Sequence, residues 1–395
     1  MRRHHHRALA LDQGFAHLER VALAAGNYVN VSDGSTKTLH RIVDALRRRG
    51  AEVLILAPDG DHPALLPVHN LVPVPSIGLP IQGYRLAMGL VGKARRALER
   101  FDPQLIHVAT PDPTGLMAVR YAQSRQLALT STYHTNFATY LKYWGPLPST
   151  LTPLAWFLTR RFYGHFDAVY VPTAHLGEEL VQRGILPNYS VLARGIDRDC
   201  FHPGRRCMQW RREHGLSPED KVVLFCARIV WEKGLRTLVK ALRRLEQSSV
   251  DFRCVVAGDG AQAGWLRKKL PRAVFTGFLD HQELACVYAS SDLFVYPSTT
   301  DTFGNVTLEA MACGLPVIGA RAPGTRTLVE DGESGLLVAP DDPEQLADAA
   351  LELLIDDVER RRLANGAAQR ARHFHWSDIL TRFTSELDYI VGNSA

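Results

Sequence analysis

Residues 221–246 read KVVLFCARIVWEKGLRTLVKALRRLE, and three kinds of segment follow one another in them. Residues 222–227, VVLFCA, form an unbroken apolar run of the length expected for a strand buried on both faces. Residues 228–234, RIVWEKG, place two cations, Arg228 and Lys233, on a short loop that ends at Gly234. From 235 to 246, Leu235, Leu238, Val239, Leu242 and Leu245 recur at helical spacing with Arg and Lys between them. Strand, loop and amphipathic helix are the unit from which parallel sheets are wound, because a parallel neighbour can only be reached by a crossover.

The same grammar runs outward in both directions. Towards the C-terminus, strands are predicted at 252–257, 273–276 and 293–296, with a helix at 282–290. Towards the N-terminus, strands are predicted at 21–25, 52–57, 105–109, 127–132, 168–171 and 190–193, with an amphipathic helix at 36–49 closed by Gly50. Both halves therefore read as doubly wound α/β. Residues 200–218 are rich in Arg, Pro and Gly with little periodicity, which puts a boundary near 196: a first domain over 1–195 and a second over 196–375. A last helical stretch begins at Trp376 and runs towards 395. The 395-residue length agrees, since one core seldom serves so long a chain. With 46% apolar and 22% charged residues, a disordered or collagen-like chain is excluded.

Charge divides unevenly. Residues 1–195 hold 21 Lys and Arg against 13 Asp and Glu, a net +8, whereas 196–395 hold 25 against 28, a net −3. A basic surface meets phosphate, nucleic acid or an anionic membrane, and net charge alone does not choose among them; a solvated Arg-rich face fits equally. The six cysteines, Cys200, Cys207, Cys226, Cys254, Cys286 and Cys313, lack zinc-knuckle spacing and read as reduced thiols. No apolar run follows the basic start, so neither an export signal nor a membrane span is expected.

Open parallel sheets bind ligands beyond the carboxyl ends of their strands, so the chemistry is expected on strand-to-helix loops. Four such loops stand out. Residues 26–36, GNYVNVSDGST, carry Gly34 and Ser35 at a helix start, where free N–H groups attract anions. Their spacing fits neither a dinucleotide fingerprint nor a P-loop, and a plain loop with a Ser or Asp cap reads the same way. Arg228 and Lys233 suit a diphosphate, as a planar fork and a mobile point charge, or are two solvated cations. Residues 297–316, PSTTDTFGNVTLEAMACGLP, set Asp301 before a helix and Glu309 about one turn inside it. Glu309 could accept a sugar diol, and the N–H groups of Gly304, Asn305 and Val306 an anionic oxygen; a helix cap plus a surface acid is the plainer account. His134 follows the strand at 127–132 and is a ligand contact or a structural imidazole.

Taken together these residues resemble the retaining glycosyltransferases of family 4. The shared parts are the Arg228 to Lys233 spacing with Gly234, the acid and Glu309 eight residues apart followed by AMACGLPV, and Gly324 with DGESGLLV at 331–338. The resemblance runs along nearly the whole chain and implies the GT-B fold, two Rossmann-like doubly wound domains facing an interdomain cleft. It implies a nucleotide-sugar donor with its diphosphate on Arg228 and Lys233 and its ribose on Glu309. Asp301 and the backbone of Phe303, Gly304, Asn305 and Val306 would hold the transferred sugar, Gly34 the phosphates, and His134 would lie beside the sugar. The last helix would pack back on the first domain. Neither a metal nor another cofactor is implied. Two positions depart from the pattern: Asp301 stands where Glu is usual, and Arg194 precedes Gly195 where Asn is frequent.

The acceptor side is the basic half. Residues 83–100 read as a helix with Arg85, Lys93, Arg95, Arg96 and Arg100 among apolar residues, and 139–163 mix seven aromatics with Lys142, Arg160 and Arg161. Such segments lie on an anionic membrane, or face a core with a charged back. The first domain is similar to the subgroup making glycolipids, such as the sulfoquinovosyl, glucosyl and glucuronosyl diacylglycerol synthases and related lipid mannosyltransferases. That implies transfer from a UDP-sugar, glucose or glucuronic acid foremost, to a lipid such as diacylglycerol, peripherally on the cytoplasmic face of the membrane. No nucleic-acid partner is expected. The alternatives are a soluble or polyprenyl-linked glycan acceptor, a non-hydrolysing nucleotide-sugar epimerase, or a donor-binding protein without turnover.

Overall fold

The computed structural model describes residues 18–31, 33–62, 65–79, 83–134 and 151–394. They divide into two compact units: one holds the residues up to Ser131, His165–Asp167 and the segment from Leu380, the other Thr132–Gly164 and Ala168–Ile379.

The first sheet contains β1 (Arg20–Ala24), β2 (Glu52–Pro58), β3 (Leu71–Val74), β6 (Leu105–Val108), β7 (Ala128–Thr132), β8 (Ala168–Val171) and β9 (Ser190–Val191) in the order β3-β2-β1-β6-β7-β8-β9; β4 (Ser76–Gly78) and β5 (Arg85–Ala87) form a separate antiparallel hairpin. β1 pairs parallel with both β2 and β6, and its buried residues explain the apolar run read from the sequence. Residues 83–100 are not the single helix expected. The chain makes β5 and then the helix Gly92–Phe101, because Gly83, Gly89 and Gly92 take φ of 79°, 144° and 56°, which break a right-handed helix.

The last helix, Trp376–Ser394, buries Leu380, Phe383, Leu387 and Val391. Within the first unit, Phe383 meets His107 edge-on at 6.1 Å, and Asp388 pairs with Arg49 at 2.5 Å and accepts from the Leu18 amide at 3.2 Å.

The second sheet holds β10 (Val222–Cys226), β11 (Arg253–Ala257), β12 (Val274–Gly277), β13 (Leu293–Tyr296), β14 (Val317–Ala320) and β15 (Gly335–Val338), ordered β12-β11-β10-β13-β14-β15 with every neighbour parallel. Counted from its own first strand this is the order 3-2-1-4-5-6 of a Rossmann sheet, which reverses direction between β10 and β13. The helix Leu235–Glu246 buries Leu235, Leu238, Val239, Leu242 and Leu245, the stripe its spacing predicted, and packs on the helix Pro343–Ile355. Each such leucine withdrawn from water contributes about 1.5–3 kcal/mol. All six cysteines are free thiols, and no helix of the described residues is long and apolar enough to cross a membrane.

Candidate active site

Where β10 and β13 part, their following loops meet. The chain leaves β10 through Arg228, makes one 3-10 turn over Trp231–Lys233, and turns at Gly234 with φ 72°. A Cβ on Gly234 would lie 2.6 Å from the carbonyl oxygen of Pro297 in the loop after β13, so only glycine lets the two loops touch. Thr300 fastens the contact by donating to the Glu232 carbonyl at 3.1 Å.

This junction brings Lys233 and Asp301 together. Lys233 Nζ lies 2.8 Å from Asp301 Oδ1, with the two side chains only 10% and 18% exposed. The other carboxylate oxygen accepts from the Tyr296 hydroxyl at 2.7 Å and the Ser298 hydroxyl at 2.5 Å. Burial alone would push the Asp301 carboxyl up, but the Lys233 ammonium and the two hydroxyls outweigh it and hold the group below its ordinary value. Burial, with Asp301 beside it, drives the Tyr296 phenol well above its usual range. Arg228 is different: its side chain is 46% exposed and approaches Glu232 at 3.9 Å, a loose surface pair that leaves the guanidinium open to solvent.

Beyond Asp301 the chain passes Phe303, whose ring is buried against Phe374 at 6.0 Å, and turns at Gly304 with φ 95° into the helix Asn305–Ala312. No side chain among the described residues caps that helix start, which leaves its first N–H groups directed at the loop end. Gly324 lies beneath: a Cβ there would stand 2.7 Å from the Asp301 carbonyl oxygen and 2.8 Å from that of Phe303. Glu309, on this helix, accepts from the Tyr288 hydroxyl at 3.2 Å. Three further residues steady the loop. The Thr302 hydroxyl donates to the His134 carbonyl at 3.3 Å, Thr173 donates to the Thr302 carbonyl at 3.4 Å, and Arg194 donates to Asn305 Oδ1 at 3.4 Å.

Of the residues read from the sequence, Lys233 and Asp301 are thus in direct contact, Phe303 to Val306 follow in the same loop, and His134 joins it through its main chain. Gly34 belongs to the first unit, where it opens the helix Gly34–Arg48 behind the cap Asp33, whose carboxylate accepts from the Thr36 amide at 2.8 Å. Thr135 and the stretch 139–150 lie outside the described residues. Sequence reasoning missed Tyr296, Ser298, Thr300 and Tyr288. Ser298 and Thr300 were within the quoted loop, but hydroxyls there read as turn residues. Among the described residues no group of three or more His, Cys, Asp or Glu could hold a metal ion.

A Rossmann sheet with a buried cation and an uncapped helix start at its switch point defines a binder of phosphorylated nucleotides. Comparison with known proteins narrows the class. Residues 32–199 match the model described as Glycosyltransferase Family 4, and residues 220–356 that of Glycosyl transferases group 1. A GDP-mannose-dependent alpha-mannosyltransferase of Corynebacterium glutamicum is 30% identical over 92% of this chain and 87% of its own length. One from Mycolicibacterium smegmatis is 32% identical over 94% and 98%, and the sulfoquinovosyl transferase SQD2 of Arabidopsis thaliana is 29% identical over 83% and 67%. Among solved structures, sucrose-phosphate synthase from Thermosynechococcus elongatus superposes with a TM-score of 0.74 at 21% identity, covering 95% of this chain and 100% of that one. The chain belongs to the group 1 and family 4 glycosyltransferases and has their GT-B fold of two Rossmann-like domains. It is a glycosyltransferase.

Proposed function

We propose that this glycosyltransferase is a retaining α-hexosyltransferase moving a sugar from a nucleoside-diphosphate donor to a membrane lipid. The observation that carries the donor side is the buried Lys233 ammonium at the switch point, beside the open helix start at Gly304. Breaking the bond between anomeric carbon and diphosphate builds negative charge on the leaving oxygen. Lys233, Arg228 and the N–H groups of Asn305 and Val306 stabilise that charge as it grows, and fixed donors of this kind commonly lower a barrier by about 2.7–4 kcal/mol each. Glu309 accepts the ribose hydroxyls, His134 contacts the sugar, and Gly34 contributes a close backbone approach to phosphate. The acceptor attacks from the face the diphosphate leaves, and a phosphate oxygen takes its proton, so no metal or protein nucleophile is needed.

On the donor, the sequence pointed to UDP-glucose or UDP-glucuronate, whereas relatives of 30 and 32% identity over nearly the full chain are named as GDP-mannose-dependent; they favour GDP-mannose as the first donor to test. The lipid acceptor is supported by exposed apolar residues beside cations. The hairpin of β4 and β5 and the turn after it expose Ile77, Leu79, Leu86, Met88 and Val91, with Lys93, Arg96 and Arg100 exposed just beyond. The helix Thr152–Tyr163 exposes Leu154, Phe157 and Leu158 ahead of Arg160 and Arg161. Such surfaces suit an anionic bilayer. A relative 24% identical over 85% of this chain, from Streptococcus pneumoniae, is named alpha-monoglucosyldiacylglycerol synthase.

The test is incubation of the protein with GDP-mannose, UDP-glucose or UDP-glucuronate and vesicles of phosphatidylglycerol with diacylglycerol, followed by mass spectrometry of the lipids. A hexosylated lipid is expected from one donor. Turnover confined to a free oligosaccharide, or an epimerised donor formed without acceptor, would overturn the lipid reading. Lys233→Ala is expected to lower turnover about a hundredfold or more, and turnover within about threefold of wild type would remove Lys233 from the reaction.

A further inference from the structure

We propose that Tyr288 is a positioning residue that holds the Glu309 carboxylate in the orientation from which it accepts the donor's ribose hydroxyls. The inference rests on the donor reading above and deepens its account of Glu309.

Tyr288 lies on the helix His281–Ala289, which starts behind the capping box of Asp280 and Glu283 and leads into β13. Its ring is fully buried and meets Phe201 and Phe294 edge-on, with centroids 6.1 and 5.8 Å away. Phe294 belongs to β13, inside the sheet, so the ring is held by a rigid neighbour. A ring packed in this way fixes its hydroxyl in space, and that hydroxyl donates to Glu309 Oε2 at 3.2 Å. The thiol of Cys226, the last residue of β10, hydrogen-bonds the same side chain. Burial, with Cys226 and Glu309 beside it, drives the Tyr288 phenol well above its usual range, and burial pushes the Cys226 thiol up to about 12. Both groups therefore keep their protons at neutral pH, and Tyr288 remains a donor.

Glu309 comes from another element of the second unit, the helix Asn305–Ala312, and is only half-buried. An unrestrained glutamate searches several rotamers, and its terminal torsion is broad. The Tyr288 hydroxyl fixes one carboxylate oxygen from the core side. A carboxylate offers about four acceptor positions, so a bond from one phenol does not by itself block a diol. The same bond favours the ionised form. Ribose needs that form, because both hydroxyls of the diol donate, and a protonated carboxyl would present a proton on one oxygen in place of a lone pair. The donor's diphosphate makes the demand sharper, since negative charge nearby favours protonation of a carboxylate. A carboxylate already fixed and ionised takes the ribose without a rotamer search.

The ratio of affinities for a ribonucleotide and for its 2′,3′-dideoxy form reads the ribose contact, and a merely structural tyrosine would leave that ratio unchanged. GDP, UDP and their 2′,3′-dideoxy forms are titrated calorimetrically into wild type, Tyr288→Phe, Cys226→Ala, Glu309→Ala and the double variant of Tyr288→Phe with Glu309→Ala. Thermal melts check folding. Tyr288→Phe keeps the packed ring and removes one oxygen; it is expected to bind the favoured ribonucleotide about tenfold more weakly and the dideoxy form within about twofold of wild type. Cys226→Ala should shift the ratio in the same direction by a smaller factor, and reports where Tyr288→Phe fails to fold. Without Glu309, Tyr288→Phe should cost less than about twofold further, because coupled residues fail to add. An equal loss on both forms, a full further loss in the Glu309→Ala background, or an unchanged ratio in Tyr288→Phe would overturn the proposal, as would an unchanged ratio in Cys226→Ala where that variant alone folds. Wild type that binds neither nucleotide, or binds the ribo and dideoxy forms equally, removes the ribose role of Glu309 and this inference with it. A ribose preference that Tyr288→Phe retains removes the positioning role alone.

Discussion

His107 carries a charge question on one side chain. It lies in β6, fully enclosed, with Nδ1 3.0 Å from the Thr130 hydroxyl and Phe383 against its ring. Burial pushes its pKa down from 6.5 to about 4. Between those values the unfolded chain binds a proton that the folded chain refuses, so stability falls as pH falls through this window. At pH 5 the penalty is about 2 kcal/mol relative to pH 7. Urea unfolding should therefore show a lower midpoint at pH 5, and His107→Gln should flatten the dependence; an equal slope in both proteins would remove His107 as the cause. Gly234 is the other single position with large leverage. Gly234→Ala places a methyl at φ 72° and 2.6 Å from the Pro297 carbonyl oxygen, so the loops bearing Lys233 and Asp301 must separate. A stability loss of about 1–3 kcal/mol is expected, and kcat should fall by more than the melting temperature alone explains.

The helix Met208–Glu213 depends on a side chain that sequence patterns hide. Arg211 has no exposed surface, and its guanidinium donates to the carbonyls of Ser217, Asp220 and Ser290 at 2.8, 2.5 and 2.9 Å and to Asp292 at 3.4 Å. Arg211→Met would leave those carbonyls buried and unanswered, and a loss of about 3–5 kcal/mol is expected in chemical denaturation. Residues 200–218 read as a stretch of little periodicity because an arginine is taken for surface, and no period marks one whose partners are main-chain oxygens. The hairpin of β4 and β5 was hidden by the opposite error, since basic and apolar residues alternating over 83–100 imitate a helix until the three glycines are given their φ. Elements whose burial follows period were legible: β13 and the helix Leu235–Glu246 lie where the sequence put them. At the site, the charged members were legible from their place after strands. Tyr296 was not, because the last residue of a buried strand reads as core.

Across the whole molecule, the first unit contains the segment from Leu380 as well as the residues up to Ser131. Removing residues 380–395 would uncover His107 and take away the buried Leu380, Phe383, Leu387 and Val391 and the pair of Asp388 with Arg49. That truncation is expected to make the first unit bind a hydrophobic dye and yield to protease, while fragments of the second unit persist on a gel. Loss of both units at the same protease dose would show that they unfold together. The chain order adds a demand during synthesis. A ribosome releases the N-terminal strands long before the segment that seals them, so the nascent first half waits with a greasy groove uncovered while the other half is made, and chaperones should be found on that intermediate.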